Sequence, residues 1–190
     1  LLHKMITKKT CSGISLKTQL LYLVVFTTRY LNAALFSPPL YNIIFKFFYM
    51  ISAAIICYLM WKPLRPTYDE KHDSLRISVI LVIAIIPSLF SMIKPNLMFF
   101  FYSYSLWVEC VAILPQLLFL VRSVKFDLMD REYVFFLSIY RLFYLLNWIY
   151  KMVTETGKTP KVVWITGILQ TVVYSDFIFE YFKARISGKS

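Results

Sequence analysis

Four strong charges lie inside long apolar runs of this sequence: Arg29, Glu109, Arg141 and Asp176. A charge near the middle of a membrane helix costs about 2.5 to 3.5 kcal/mol, so such residues usually pair or line a cavity. Glu109 is the natural partner of Arg141, because an ion pair lowers the cost of both charges, and such a pair can also be purely architectural. Arg29 has no acidic partner on its own helix, and an unpaired arginine suits a carboxylate that accepts two hydrogen bonds from it. The buried charges therefore predict a cavity, and the unpaired Arg29 predicts that its ligand is anionic.

One stretch of the sequence carries aromatic and basic side chains at helical spacing. Its members recur every three or four residues and so share one face of a helix: Tyr140, Arg141, Tyr144, Trp148 and Lys151. For the aromatic side chains alone, a helix-packing seam with satisfied tyrosine hydroxyl groups is the simpler interpretation. Arg141 and Lys151 favour a water-filled pocket, because basic side chains seldom fill packing space in hydrocarbon.

Other polar residues in the apolar runs are less informative. Asp176, with Gln170 and Tyr174, adds hydrogen-bonding capacity, and a structural role suits it as well as a functional one. Lys46 lies nearer a helix end and can extend its ammonium group to the membrane surface. The sequence has no nucleophile–base arrangement, no paired catalytic carboxylates, no glycine-rich phosphate loop and no metal-ligand spacing. We therefore expect a binding protein with no cofactor and no metal, and not an enzyme.

The elements that position these residues are predicted to be membrane helices. A mean hydropathy of +0.64 is too high for a water-soluble domain of 190 residues. The apolar runs are about 18 to 24 residues long, enough to cross the hydrocarbon at about 1.5 Å per residue. A short apolar stretch at residues 1–6 precedes the predicted spans, which are residues 16–36, 40–61, 77–93, 97–121, 133–150 and 162–182.

The basic residues between the spans predict their orientation. The net charge of +11 is not gathered on one stripe, as nucleic-acid binding would require, but alternates between connections. The basic connections, such as the one with Lys62 and Arg65, would face the cytosol, as would residues 183–190 as a short C-terminal tail. Residues 1–190 are thus predicted to form a single polytopic membrane domain in contact with lipid.

The cysteines indicate neither disulfides nor zinc. Cys11, Cys57 and Cys110 are odd in number and widely spaced. Cys11 lies beside a predicted membrane end, where acylation is open, although an unmodified buried thiol is the simpler expectation.

Several stretches match one family pattern, almost from end to end and nearly in register. They are residues 11–15 with Lys17, 27–31, 40–42, 67–69 with His72 and Asp73, Glu109, 111–117, Tyr140 and Arg141 with Tyr144, Asn147 and Trp148, and Gln170 and Thr171 with Tyr174 and 176–177. Together they resemble the KDEL receptor family, the ER lumen protein-retaining receptors. The resemblance implies an all-α, seven-transmembrane-helix bundle of the PQ-loop (SWEET-like) type, with two three-helix repeats and a linker helix. Most of the first helix would be missing from this sequence. A weak echo between residues 28–32 and 141–147 is typical of such repeats.

The resemblance also implies a function. Members of the family are sorting receptors that cycle between Golgi and endoplasmic reticulum (ER) membranes and bind the C-terminal tetrapeptide of escaped ER luminal proteins. The terminal carboxylate of the peptide would meet Arg29 and Tyr30, and Glu109 with Arg141 would form the internal ion pair. Further residues fall on family pocket or gating positions: Tyr140, Tyr144, Trp148, Lys151, Asn32 and Asp176.

The family's basic cytosolic tail recruits the COPI coat for retrograde transport. Lys183, Arg185 and Lys189 occupy this part of the chain. Ordinary positive-inside anchoring explains these three residues equally well.

Some positions depart from the family pattern. Lys151 stands where the family has arginine, which keeps the charge but loses the bidentate geometry. Asn32 and Phe99 stand where the family has acidic residues that hold the basic first residue of the signal, so we predict no preference for lysine there. The family's N-terminal arginine and pH-sensing histidine would lie upstream of Leu1.

Two other functions remain open. The first is a small-solute transporter with the same PQ-loop architecture, because a fold alone does not settle an activity. The second is a divergent paralogue without signal binding, which Asn32 and Phe99 make reasonable.

Overall fold

The computed structural model describes residues 1–30, 40–91, 96–122, 128–154 and 161–186, and within these ranges all regular structure is helical. The α-helices fall into two compact units, α1 to α6 and α7 with α8. An all-helical fold is therefore confirmed for these ranges, whereas the PQ-loop arrangement and the single domain stay predictions. The helices are α1 (Leu2–Lys8), α2 (Leu16–Tyr30), α3 (Leu40–Trp61), α4 (Ile77–Phe90), α5 (Leu97–Val111), α6 (Leu114–Arg122), α7 (Leu128–Thr154) and α8 (Lys161–Ile186), with a 3₁₀ helix at Arg65–Thr67.

The predicted spans coincide with helices, but most bounds differ. Helix α3 has the predicted bounds, since a largely apolar run lies there between Pro39 and Pro63. Helices α7 and α8 extend beyond their predicted spans, because polar residues at the ends of an apolar run continue a helix even where they do not suit hydrocarbon. The predicted span ends at residues 31–36 and 92–93 lie outside the described ranges.

The predicted span 97–121 is confirmed as an apolar stretch long enough to cross a membrane, at Leu97–Phe119, but it consists of two helices and not one. Helix α5 ends at Val111 and α6 begins at Leu114, with a break at Ala112 and Ile113. Pro115 explains the break, because proline has no N–H to donate to the carbonyl of Val111 and is tolerated in the first turn of a helix. The Ala112 N–H donates instead to the Glu109 carbonyl (3.3 Å), which tightens the last turn of α5.

The first unit is organised around α2. This helix packs against α3, α5 and α6, while α4 packs against α5. Apolar residues of α2, α4 and α5 meet in one core cluster, which comprises Leu21, Val25, Ile80, Ala84 and Val108 together with Ala112. In the second unit α7 packs against α8.

Large apolar side chains cover the outer faces of these helices. Phe48 on α3 is 64% exposed and Phe90 on α4 is 88% exposed. Among the residues that the structure describes, two stretches are long and apolar enough to cross a membrane, Ile43–Trp61 and Leu97–Phe119, and α4 is a shorter apolar helix. Exposed apolar surface of this extent is unfavourable in water and suits contact with lipid.

Candidate ligand-binding site

The Arg29 side chain is held against α5 by two side chains one helical turn apart. Its Nη2 donates to Glu109 Oε2 in a salt bridge, and its Nε donates to Ser105 Oγ at 3.1 Å. The Ser105 hydroxyl in turn donates to the Tyr102 carbonyl at 2.7 Å. The side chains of Arg29 and Glu109 are 18% and 9% exposed, so two opposite charges lie together inside the unit. Their pairing lowers the cost of burying both charges.

The expectation that Arg29 is unpaired was therefore wrong. It considered acidic residues on the same helix only, and Glu109 lies 80 residues away in the sequence. The two residues meet because α2 packs against α5. The predicted pairing of Glu109 with Arg141 stays a prediction, because the Arg141 side chain lies outside the described part of the chain.

Tyr30 ends an aromatic column along α2. Tyr22, Phe26 and Tyr30 recur every four residues, and their ring centroids are 6.2 Å and 6.0 Å apart. From α3, Tyr49 packs against Phe26 at 6.2 Å, and the Lys46 ammonium group lies 5.6 Å from the Tyr30 ring centroid. Lys46 thus lies next to Tyr30. The sequence analysis had interpreted it only as a lysine that extends its ammonium group to the membrane surface and had not predicted this contact.

The start of α5 is aromatic, and it includes Phe99, one of the two predicted departures from the family pattern. Asn96 caps the helix by accepting a hydrogen bond from the Met98 N–H at 2.9 Å. The rings of Phe99 and Tyr102 follow at a centroid separation of 6.5 Å. Asn32, the other predicted departure, lies outside the described residues. Phe99 supplies an apolar ring and no carboxylate at this end of α5.

The predicted aromatic face on α7 is present for the two members whose side chains are described. The rings of Tyr140 and Tyr144 contact each other, with a centroid separation of 4.8 Å. Both side chains are exposed at the surface of the second unit. Arg141, Trp148 and Lys151 lie in α7 by backbone position, and Asp176, Lys183 and Arg185 lie in α8. The side chains of those six residues and the whole of Lys189 lie outside the described part. Gln170 and Tyr174 are buried in α8.

A buried polar cluster, which we call the Asp73 clasp, joins the beginning of α2 to two distant segments. Asp73 is 2% exposed, and its Oδ2 accepts hydrogen bonds from Ser15 Oγ (2.8 Å), Tyr68 OH (2.6 Å) and the Lys17 N–H (3.3 Å). Gln116 completes the clasp. Its Oε1 accepts from the Ser15 N–H at 2.7 Å, and its Nε2 donates to the Gly13 carbonyl at 2.8 Å. Gly13 has φ 84°, a conformation that glycine adopts without steric cost.

Sequence analysis gave the clasp residues no role beyond their match to a family pattern. Lys17 and Ser15 lie 56 and 58 positions away from Asp73, and the partners of Gln116 lie 101 and 103 positions away from it. Such pairings leave no periodic signal in the sequence. The hint that the sequence offered was Gln116, a polar residue within an apolar stretch, where a buried side chain needs hydrogen-bond partners. Asp73 lies in a loop, where an acidic residue is ordinary.

Cys11 lies beside the clasp as a buried thiol. Its Sγ contacts the Leu64 carbonyl at 3.2 Å and Thr67 Oγ1 at 3.3 Å. Burial raises the pKa of Cys11, and burial with the hydrogen bond to Asp73 raises the pKa of Tyr68, so both groups stay protonated near neutral pH. All three cysteines are free and buried, so the expectation of a buried thiol at Cys11 is confirmed.

Comparison with known proteins identifies the family. The model of the ER lumen protein retaining receptor family matches residues 10–151. An ER lumen protein-retaining receptor of Saccharomyces cerevisiae is 38% identical over 195 residues, covering 100% of this chain and 89% of the relative. ER lumen protein-retaining receptor A of Arabidopsis thaliana is 39% identical over 184 residues (96% and 86%). A receptor of the same name in Entamoeba histolytica is 36% identical over 188 residues (99% and 88%). Identity at this level along nearly the whole chain means that this protein belongs to the ER lumen protein-retaining receptor family.

Proposed function

We propose that this protein is a sorting receptor that binds the C-terminal, KDEL-like retention signal of escaped ER luminal proteins. The observation that carries the proposal is the Arg29 guanidinium group, held between Glu109 and Ser105 next to Tyr30. A buried arginine at the end of an apolar helix suits an anionic ligand better than a neutral one. Membership of a family of receptors for ER luminal proteins supports the same ligand class.

The contacts of Arg29 suggest how a carboxylate would bind. A guanidinium group carries five N–H donors, and the contacts with Glu109 and Ser105 engage Nη2 and Nε. A peptide carboxylate can therefore join Glu109 on the same guanidinium group or replace it. In either case the salt bridge holds the guanidinium group in place before the ligand arrives, which reduces the entropy lost on binding.

We assign the rest of the peptide to α7 and α8. Tyr140 and Tyr144 offer two exposed rings on the first of these helices. By their spacing, Trp148 and Lys151 lie on the same helical face, where the lysine would meet an acidic residue of the signal. Asp176 and Asn32 are the remaining proposed pocket residues, and Arg141 would join Glu109.

The wider biology is part of the proposal. A seven-helix PQ-loop bundle with several membrane crossings would place the site on the luminal side of the ER and cis-Golgi membranes. The basic residues Lys183, Arg185 and Lys189 would face the cytosol and recruit the COPI coat for retrograde transport. The basic loop between α3 and α4 suits the same cytosolic side.

Peptide binding and solute flux distinguish the receptor from its two alternatives. We expect the purified protein to bind a peptide with a free, acidic, KDEL-like C-terminus, because Arg29 recognises a carboxylate. Isothermal titration in detergent micelles measures this affinity, and uptake into liposomes measures flux of neutral sugars. Solute flux without peptide affinity would show a transporter. The absence of both would show a paralogue that has lost the signal.

A further prediction concerns the first residue of the signal. We expect peptides ending in KDEL, HDEL and SDEL to bind within about threefold of one another, since Phe99 and Asn32 offer no carboxylate to a lysine. Competition against one fluorescent peptide measures the three affinities side by side. The variant Phe99→Glu supplies the matched control and should shift the preference towards lysine by about tenfold, as one partly screened ion pair would. A clear preference of the unmodified protein for KDEL would refute this prediction.

A further inference from the structure

Lys46 lies on the side of α3 that packs against α2. Its Nζ is 5.6 Å from the Tyr30 ring centroid, and Tyr49, three residues further along α3, packs against Phe26 of α2. Residues three apart share one face of a helix. Lys46 and Tyr49 therefore both face α2 and its aromatic column, and the ammonium group of Lys46 is directed towards Tyr30.

The charges around Tyr30 do not cancel when Lys46 is included. Arg29 and Glu109 neutralise each other in their salt bridge. Among the described residues, no carboxylate forms a salt bridge with Lys46. The face of the Tyr30 ring attracts the ammonium group but offsets only part of the cost of holding a charge within an apolar helix. Within the described part of the chain, the surroundings of Tyr30 thus carry one positive charge in excess.

We infer that Lys46 is a further ligand-binding residue, which supplies this excess charge to the C-terminal carboxylate of the bound peptide. The inference rests on the proposed function and adds a residue to its site. The peptide carboxylate would contact the phenol of Tyr30 and the ammonium group of Lys46. Arg29 alone cannot neutralise this carboxylate, because its charge is already paired with Glu109. The alternative is a lysine that only packs over a ring and has no ligand.

A pair of peptides that differ only at the C-terminus tests this assignment. One peptide carries a free carboxylate, and the other carries a neutral carboxamide. We expect the unmodified protein to prefer the free acid by about tenfold or more, which is the effect of one charge pair that is partly screened. The variant Lys46→Gln should bind the free acid about tenfold more weakly and the carboxamide within about twofold of the unmodified protein. Lys46→Arg should keep the preference.

Lys62 provides the matched control. Its Nζ lies 5.9 Å from the Tyr58 ring centroid, so it repeats the lysine-over-tyrosine arrangement just beyond the other end of α3. At about 1.5 Å per residue it is about 24 Å along the helix axis from Lys46. Lys62→Gln should leave both affinities unchanged.

The possible outcomes separate the inference from the proposed function. An unmodified protein that binds neither peptide would overturn both. An unmodified protein that prefers the free acid, with a Lys46→Gln variant that keeps this preference, would overturn the inference alone. A misfolded Lys46→Gln variant would lose carboxamide binding as well, and Lys46→Met, which suits an apolar helix, then replaces it in the same comparison.

Discussion

Arg29→Met is expected to lower the affinity for a free-acid retention peptide by about 100-fold or more. Truncating one partner of a buried, hydrogen-bonded charge pair typically costs about 2 to 5 kcal/mol of binding free energy. Arg29→Lys keeps the charge but cannot donate to Ser105, Glu109 and a peptide carboxylate in one plane, so an intermediate loss of about tenfold is expected. Titration of the peptide into purified variants measures both affinities.

Arg29→Met alone cannot separate binding from folding, because Glu109 would be left as a buried charge without its Arg29 partner. Breaking a buried pair in this way typically costs about 3 to 5 kcal/mol of stability. The double variant Arg29→Met with Glu109→Gln removes both charges, and we expect it to unfold near the temperature of the unmodified protein while still failing to bind. Normal affinity in this stable double variant would contradict the assignment of Arg29 to the ligand.

Glu109→Gln alone tests the competition between Glu109 and the peptide. The glutamine keeps an oxygen for Arg29 Nη2 but removes the negative charge that a peptide carboxylate must share or displace. In the double variant above both charges are absent, so a comparison of the unmodified protein, Arg29→Met, Glu109→Gln and the double variant isolates the coupling between the two residues.

The sequence predicted the helices more accurately than their contacts. The bounds of α3 followed from an apolar run between two prolines, because an apolar run of that length is typical of one helix that crosses the hydrocarbon. The break before Pro115 was missed, because hydropathy continues unchanged through residues 112 and 113 while the hydrogen bonding does not. The hydropathy pattern indicates whether a side chain is surrounded by apolar groups. It does not indicate where a backbone N–H donor is missing because of a proline.

For the site, the sequence predicted the residue types but not their partners. Arg29 and Glu109 were recognised as buried charges, yet their pairing depends on which faces of α2 and α5 meet. Lys46 was underestimated for the same reason, since its direction towards Tyr30 follows from the packing of α3 on α2. A charge in an apolar run can be found from a single helix, but its partner lies on another helix and needs the tertiary structure.

The Asp73 clasp is expected to dominate the stability of the first unit. Asp73→Ala would leave three donors in a buried site without their acceptor: Ser15 Oγ, the Tyr68 hydroxyl and the Lys17 N–H. Each buried donor left without a partner costs about 1 to 3 kcal/mol. Because two of the three hydrogen bonds are only partly buried, we expect a loss in the lower part of the range for three donors, about 3 to 5 kcal/mol of unfolding free energy. Thermal unfolding followed by intrinsic tryptophan fluorescence in detergent measures the change.

Two milder variants show whether the clasp acts through these hydrogen bonds. Tyr68→Phe removes one donor and leaves the carboxylate with Ser15 and Lys17, so a loss of about 1 kcal/mol is expected. Asp73→Asn keeps an acceptor oxygen of similar shape and should fall between Tyr68→Phe and Asp73→Ala. Glu70→Ala is the matched control, since Glu70 lies in the same loop but its side chain is 74% exposed and its contact with Arg65 is 4.0 Å. An exposed pair of this kind contributes little, so Glu70→Ala should leave stability unchanged. If Asp73→Ala were no less stable than Glu70→Ala, the hydrogen bonds of Asp73 would not be what holds the beginning of α2 to the loop between α3 and α4. The position of Arg29 would then have to depend on the other contacts of α2, chiefly its packing against α3 and α5.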